Sequence, residues 1–103
     1  MSARIVVLDP EPVVREVLAK ILKTAGYSVE AIDTYEAALE ILTTAPPDLV
    51  LTNVYLPGIP AREAVRNFKN IHPGVPVLMV SGLPDEDVIQ GWAGHDGFDT
   101  FPT

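Results

Sequence analysis

The length of 103 residues corresponds to one domain, residues 1–103, and excludes a multidomain enzyme. With 48% hydrophobic and 20% charged residues, the chain has enough apolar side chains to form a core, which excludes disorder along most of its length. Seven Lys and Arg against fourteen Asp and Glu give a net charge of −7, which disfavours direct binding to nucleic acid, and the absence of Cys excludes disulfides and cysteine-ligated zinc.

The first two predicted elements are a strand and a helix. Arg4 to Leu8 is a β-branched run without polar alternation, which is typical of a strand buried on both faces of a parallel sheet. The strand stops at Asp9, Pro12 fits the first turn of a helix, and Gly26 ends that helix as a left-handed cap. The apolar residues of the helix recur at helical spacing and are Val13, Val14, Val17, Leu18, Ile21, Leu22 and Ala25.

A second strand and a second helix follow in the same order. Tyr27 to Ile32 is the predicted strand, and Asp33 or Thr34 caps the helix, which ends before Pro46 and Pro47. The apolar positions of this helix are Tyr35, Ala38, Leu39 and Leu42.

The third strand and third helix are separated by a predicted loop. The run 49–51 is a buried strand that ends at Thr52 and Asn53, and the loop after it contains Pro57, Gly58 and Pro60. The third helix ends at the segment 72–74, and its apolar positions are Ala61, Ala64, Val65, Phe68 and Ile71.

The last predicted elements complete the alternation. Val75 to Ser81 is a fourth buried strand, Pro84 and Asp85 begin a short helix that contains Trp92, and Phe98 to Phe101 is a fifth strand. Five strands that alternate with four helices predict an α/β fold with a parallel, doubly wound sheet.

The functional residues of such a sheet lie in one place. A ligand or reaction site is expected outside the carboxyl ends of the strands. Here those ends carry Asp9, Asn53, Ser81 and Phe101, which are therefore the candidate site residues.

Four segments resemble the receiver domain of bacterial two-component response regulators, and the resemblance covers the whole chain. IVVLDPEPVVR is similar to the family's first strand with its acidic pair, and PDLVLTNVYLPGIP to the third strand with its phosphoacceptor. VPVLMVSG is similar to the fourth strand with its hydroxyl residue, and GHDGFDTFP to the fifth strand with its Lys-Pro. The resemblance implies a flavodoxin-like three-layer sandwich with strand order 2-1-3-4-5.

The residues at the family's reactive positions depart from its chemistry. In receivers an aspartate attacks phosphorus, Mg²⁺ held by that aspartate and the acidic pair neutralises the developing charge, and a lysine steadies the phosphate. By resemblance, Asn53 stands at the phosphoacceptor position, Pro10 at the second acidic position and Phe101 at the lysine position. A neutral amide does not form an acyl phosphate, so a degenerate site without a catalytic residue is predicted.

Two of the family's residue types remain, at Asp9 and Ser81, with Glu11 as a stand-in ligand. Because Mg²⁺ prefers octahedral oxygen sites, one carboxylate and an amide oxygen should bind it weakly, and neither a metal nor another cofactor is expected. The structural interpretations are favoured: Asp9 as a helix cap or loop carboxylate, Ser81 as a strand-end hydroxyl, and Asn53 as a structural hydrogen-bonding group.

The other polar side chains give no further site. His72 and His95 lie in turn-like surroundings without a second ligand, which disfavours a metal. Arg62, Arg66 and Lys69 share one face of the third helix, and a solvated face without a nucleic-acid role is the favoured interpretation.

The predicted function is a phosphorylation-independent receiver, a protein-interaction module of a two-component pathway that binds a sensor kinase or another regulator and is not an enzyme. Trp92 belongs to the fourth-helix face that receivers use for partners and is a candidate interface residue. Alternatives are a working receiver phosphorylated on Asp9 or Glu11, and a pseudo-receiver whose pocket binds a small molecule.

No run of about 20 apolar residues is present, so a cytoplasmic protein without membrane contact is expected.

The resemblance implies two further features. Receivers hold the Lys-Pro peptide cis, and this geometry is carried over to Phe101 and Pro102. Receivers also have a fifth helix after the fifth strand, whereas this chain stops at Thr103. An exposed apolar strip of the first helix and of the first and fifth strands is therefore expected. A two-fold homodimer is the simplest way to bury this strip, unless a longer native chain supplies the fifth helix.

Overall fold

The structure, a computed structural model, describes residues 3–80. Its elements are β1 (Arg4–Leu8), α1 (Pro12–Thr24), β2 (Ser28–Ile32), α2 (Tyr35–Thr44), β3 (Leu49–Asn53), β4 (Tyr55–Leu56), β5 (Ile59–Pro60), α3 (Ala61–Ile71) and β6 (Val77–Val80). The predicted alternation of strands and helices is confirmed as far as β6. The predicted fourth helix and fifth strand lie outside the described residues, as do Ser81, Trp92, His95, Phe101 and Pro102.

The central sheet is parallel and has the order β2-β1-β3-β6 in the part of the chain described. Ile5 of β1 is in register with Val29 of β2 and with Leu49 of β3, and Val50 of β3 is in register with Val77 of β6. This order agrees with the first four strands of the predicted 2-1-3-4-5 sheet. Crossover helices connect the strands, as parallel pairing requires.

Two apolar cores lie on opposite faces of the sheet because successive side chains of a strand point to opposite sides. One core joins α1 to the sheet through Ile5, Val7, Leu18, Leu22, Leu51, Leu78 and Val80. The other joins α2 and α3 to the opposite face through Leu8, Ala38, Leu42, Val50, Leu56, Ala64, Phe68, Val75 and Val77. The resulting arrangement is the expected three-layer sandwich.

The ends of the helices follow from local backbone chemistry. Gly26 has a φ of +101°, its N–H donates to the Lys23 carbonyl, and the Tyr27 N–H donates to the Leu22 carbonyl. These two bonds form a Schellman motif, which needs a left-handed residue after the helix. Asp33 and Thr34 were the two predicted N-caps of α2, and Thr34 is the N-cap, since its hydroxyl accepts a hydrogen bond from the Ala37 N–H at 3.2 Å.

Two strands begin later than predicted, and the loop predicted after β3 contains a hairpin. β2 begins at Ser28 because the Tyr27 N–H closes α1, and β6 begins at Val77 because the Val75 N–H donates to the His72 carbonyl. The loop predicted after β3, with Pro57, Gly58 and Pro60, contains a short antiparallel hairpin, β4 and β5, that turns at Gly58 with a φ of +81°.

The prediction of a largely apolar exposed strip on the α1 side is wrong for the first strand. Ile5 and Val7 are buried because Leu18 and Leu22 of α1 pack against them. Val13, predicted to belong to the apolar face of α1, lies in the first turn of that helix and is 71% exposed.

Candidate functional site

The candidate site is centred on Asp9 and Asn53, which lie side by side at the carboxyl ends of β1 and β3. Leu8 and Thr52 are in parallel register, so the residue after each of them is placed at the same sheet edge. Asp9 is 1% exposed and Asn53 is 6% exposed. Asn53 Nδ2 donates a hydrogen bond to Asp9 Oδ2 at 3.1 Å, which joins the two loops that leave these strands.

The remaining contacts of Asp9 order the turn that leads into α1. Its Oδ1 accepts from the Glu11 N–H at 2.9 Å, so each carboxylate oxygen has a partner. Its N–H donates to the Ile32 carbonyl, and Arg15 Nη1 donates to its carbonyl oxygen at 2.8 Å. Asp9 is thus a buried loop carboxylate, and the N-cap position of α1 belongs to Glu11, without a side-chain cap bond.

The amide of Asn53 is fixed by partners of opposite character. Its Oδ1 accepts from the Tyr55 N–H at 2.8 Å, whereas its Nδ2 donates to the Asp9 carboxylate. A main-chain N–H can only donate and an ionised carboxylate can only accept, so this network sets the orientation of the amide. The Val54 N–H donates to the Val80 carbonyl and holds the same loop against β6.

Pro10 and Glu11 add no carboxylate to this buried pair. Pro10 is half-buried and has neither a side-chain acid nor a main-chain N–H. Glu11 is exposed, and its bond to Asp9 comes from the backbone, not from its side chain. Within residues 3–80, no group of three or more His, Cys, Asp and Glu side chains is arranged to hold a metal.

None of the side-chain hydrogen bonds of Asp9 and Asn53 comes from His72, Arg62 or Arg66. His72 is the half-buried C-cap of α3, and Arg62 and Arg66 are exposed on that helix. Asn67 of α3 donates to the Tyr35 hydroxyl at 2.7 Å and so connects α3 to α2.

Two residues of the site were not predicted, Arg15 and Tyr55. The local signal for Tyr55 was available, because Asn side chains often accept from the N–H two residues further along in Asx turns. Arg15 carried no such signal, since its partner is a backbone carbonyl six residues earlier.

None of the helices in the described part of the chain has the length and apolar composition needed to cross a bilayer.

Comparisons with known proteins agree with this geometry. The family model for the response regulator receiver domain matches residues 5–101. The response regulator MprA of Mycolicibacterium vanbaalenii is 32% identical over 96 residues, 93% of this chain and 41% of MprA. The DNA-binding transcriptional regulator NtrC of Klebsiella pneumoniae is 28% identical over 96 residues, 93% of this chain and 20% of NtrC. The chain thus spans between a fifth and about two fifths of these relatives.

Solved structures show the same fold. The CheY-like receiver domain protein of Methanospirillum hungatei has a TM-score of 0.76 at 25% identity, covering 100% of this chain and 84% of that one. The N-terminal domain of a receiver protein of Methanoculleus marisnigri has a TM-score of 0.76 at 26% identity, covering 98% of this chain and 84% of that one.

Proposed function

The chain belongs to the response regulator receiver domain family, and on this premise we propose that it is a degenerate receiver that signals by protein binding without being phosphorylated. The observation that carries the proposal is the hydrogen bond from Asn53 Nδ2 to Asp9 Oδ2 at 3.1 Å. At the phosphoacceptor position, Asn53 thus turns an amide N–H group toward Asp9, whereas phosphorylation requires a nucleophilic carboxylate oxygen at that position. The role of the site is then structural, and the chain is not an enzyme.

The chemistry of the Asn53 side chain supports this role. Its Oδ1 is a weakly nucleophilic amide oxygen that already accepts from the Tyr55 N–H. Attack on phosphorus by a carboxylate gives an acyl phosphate, whereas an amide oxygen has no negative charge to contribute. The same hydrogen bonds hold the junction between β3 and β4 against the loop that follows β1.

The donor set does not fit Mg²⁺. Asp9 is the one buried carboxylate of the described residues, and its two oxygens accept from Glu11 and Asn53. Mg²⁺ needs close to octahedral oxygen coordination and loses its water reluctantly, so breaking two hydrogen bonds for one carboxylate is unfavourable. Pro10 supplies no second acid, and Phe101 supplies no cation for a phosphate.

The proposed partner is a protein of a two-component pathway, such as a sensor kinase or another regulator, in the cytoplasm. Trp92 remains a candidate contact of that partner. NtrC is named as a DNA-binding regulator, but this chain matches 20% of it, so DNA binding by a longer protein is compatible with the proposal. For these 103 residues, the net charge of −7 disfavours direct contact with DNA.

A titration with Mg²⁺, alone and with beryllium fluoride, tests the proposal. We expect the amide resonances of Glu11 and Tyr55 to keep their positions up to about 10 mM Mg²⁺, since the metal site lacks its acids. Two-dimensional NMR of the 15N-labelled chain gives this readout. Gly26, at the opposite edge of the sheet, serves as the internal reference for bulk salt effects. Saturable shifts of Glu11 and Tyr55 that Gly26 does not share would refute the proposal.

A further inference from the structure

A groove of about 420 Å³ lies between the polar face of α1 and the outer edge of β2. Its walls include Arg15, Glu16, Lys20 and Lys23 from α1 and Ala31 from β2. It is separate from the Asp9 and Asn53 side-chain pair, which does not line it. The groove therefore has a wall with three basic side chains and one acidic side chain, and Ala31 of β2 forms its floor.

β2, the strand that supplies Ala31 to the groove, has main-chain groups that face away from the sheet. β2 has β1 as its sole neighbour among the described strands. The Ser28 N–H donates to the Ala3 carbonyl, and the Ile32 carbonyl accepts from the Asp9 N–H, so Ser28 and Ile32 bond toward β1. Because bonding direction alternates along a strand, the N–H and C=O groups of Val29 and Ala31 point toward the open edge.

Two of the positive charges in the wall have no partner in the described part of the chain. Arg15 is already bonded to the Asp9 carbonyl, but the ammonium groups of Lys20 and Lys23 bond to no other residue in the described part of the chain. Both lysines are exposed and one helical turn apart, and Glu16 is the acidic residue that lines the groove. Glu30 of β2 forms an ion pair with Arg4 at 3.4 Å and does not pair with either lysine. The wall is thus locally cationic on a chain whose net charge is −7.

We propose that this groove binds an extended, acidic segment of a partner protein, which pairs with β2 as an added strand. The backbone of Val29 and Ala31 supplies the strand pairing. Aspartate or glutamate at alternate positions of the segment, on the face toward α1, pairs with Lys20 and Lys23. Strand addition of this kind takes its affinity from main-chain bonds and its specificity from alternate side chains.

A second copy of this chain is the less suitable occupant. When two identical edge strands pair antiparallel in one sheet, the two-fold axis is perpendicular to the sheet, so both α1 helices lie on the same side. Lys20 and Lys23 of one copy would then lie beside the same residues of the other, and like charges repel. An acidic segment can pair with the same edge of β2 and brings negative charges, which attract Lys20 and Lys23.

Fluorescence anisotropy with two labelled, end-blocked hexapeptides tests the inference. The probe alternates Glu and Val, and the comparison peptide has Gln in place of Glu. We expect the Glu peptide to bind about tenfold more tightly than the Gln peptide, as two exposed ion pairs allow. The double variant Lys20→Glu/Lys23→Glu should lose this advantage. The charge-matched control Arg62→Glu/Arg66→Glu, on exposed residues of α3, should keep the wild-type affinity within about twofold.

Hydrogen exchange identifies the mode of binding. We expect the Val29 and Ala31 amides to exchange more slowly once the Glu peptide is bound, because strand pairing engages outward N–H groups. Equal affinities for the two peptides, or an unchanged affinity of the lysine variant for the Glu peptide, would overturn the proposal that the partner segment is acidic. Unchanged exchange of Val29 and Ala31 at saturation would overturn strand addition. These outcomes leave the proposal for Asp9 and Asn53 unaffected, because the inference does not depend on it.

Discussion

Replacing Asn53 with aspartate is expected to lower the free energy of unfolding at pH 8 by about 2 to 4 kcal/mol and to leave the chain unphosphorylated. The substitution removes the Nδ2 donor and places a second buried carboxylate about 3 Å from Asp9 Oδ2. Phosphorylation is not restored because Pro10 and Phe101 still lack the acid and the cation. Urea denaturation followed by circular dichroism, and mass spectrometry after acetyl phosphate treatment, measure the two effects.

The pH dependence of this variant has a defined sign. Two neighbouring carboxylates bind a proton more tightly in the folded chain than in the unfolded chain, so the variant recovers stability as the pH falls toward 4. Asn70→Asp is the matched control, because Asn70 is exposed on α3 and its change should cost less than about 0.5 kcal/mol. An Asn53→Asp protein with wild-type stability and an acyl phosphate would contradict the structural role of the pair.

Phe68→Ala is expected to lower the free energy of unfolding by about 3 to 5 kcal/mol, which is a large part of the stability of a small domain. Phe68 is 0% exposed, and its ring lies 5.6 Å from the Tyr35 ring in the core between the sheet, α2 and α3. Truncation leaves a cavity that the surrounding strands cannot fill. Urea denaturation at pH 7 gives the difference.

Ile71→Ala on the same helix is the control for helix propensity and apolar loss. Ile71 is 40% exposed, so the substitution should cost less than about 1 kcal/mol. A loss below about 1 kcal/mol for Phe68→Ala as well would show that α3 does not pack on the sheet as described.

Residues with a strong local signal were predictable from the sequence. The β-branched run of β1 predicted a strand buried on both faces, and its four residues Ile5 to Leu8 are buried. Gly26 predicted the end of α1, because few other residues adopt a left-handed backbone at low cost. The parallel order then brought the strand ends together, which placed Asp9 beside Asn53.

The features that the sequence did not predict depend on long-range contacts or on the ends of elements. The hairpin of β4 and β5 is only two residues per strand, too short for an alternating pattern to identify. Val13 belongs to the apolar pattern of α1 but is exposed, because helical spacing alone does not fix which outer positions of the pattern the core covers. The bond from Arg15 to the Asp9 carbonyl depends on the angle at which α1 leaves β1.

The presence or absence of an acyl phosphate on the wild-type chain tests the central claim most directly. The intact protein is incubated with acetyl phosphate and Mg²⁺ at neutral pH and its mass is measured, with an active receiver treated in parallel as the positive control. We predict an unchanged mass, because Asn53 is not a nucleophile and both oxygens of Asp9 accept hydrogen bonds. A mass increase of one phosphoryl group that hydroxylamine removes, mapped to Asp9 or Glu11, would contradict phosphorylation-independent signalling.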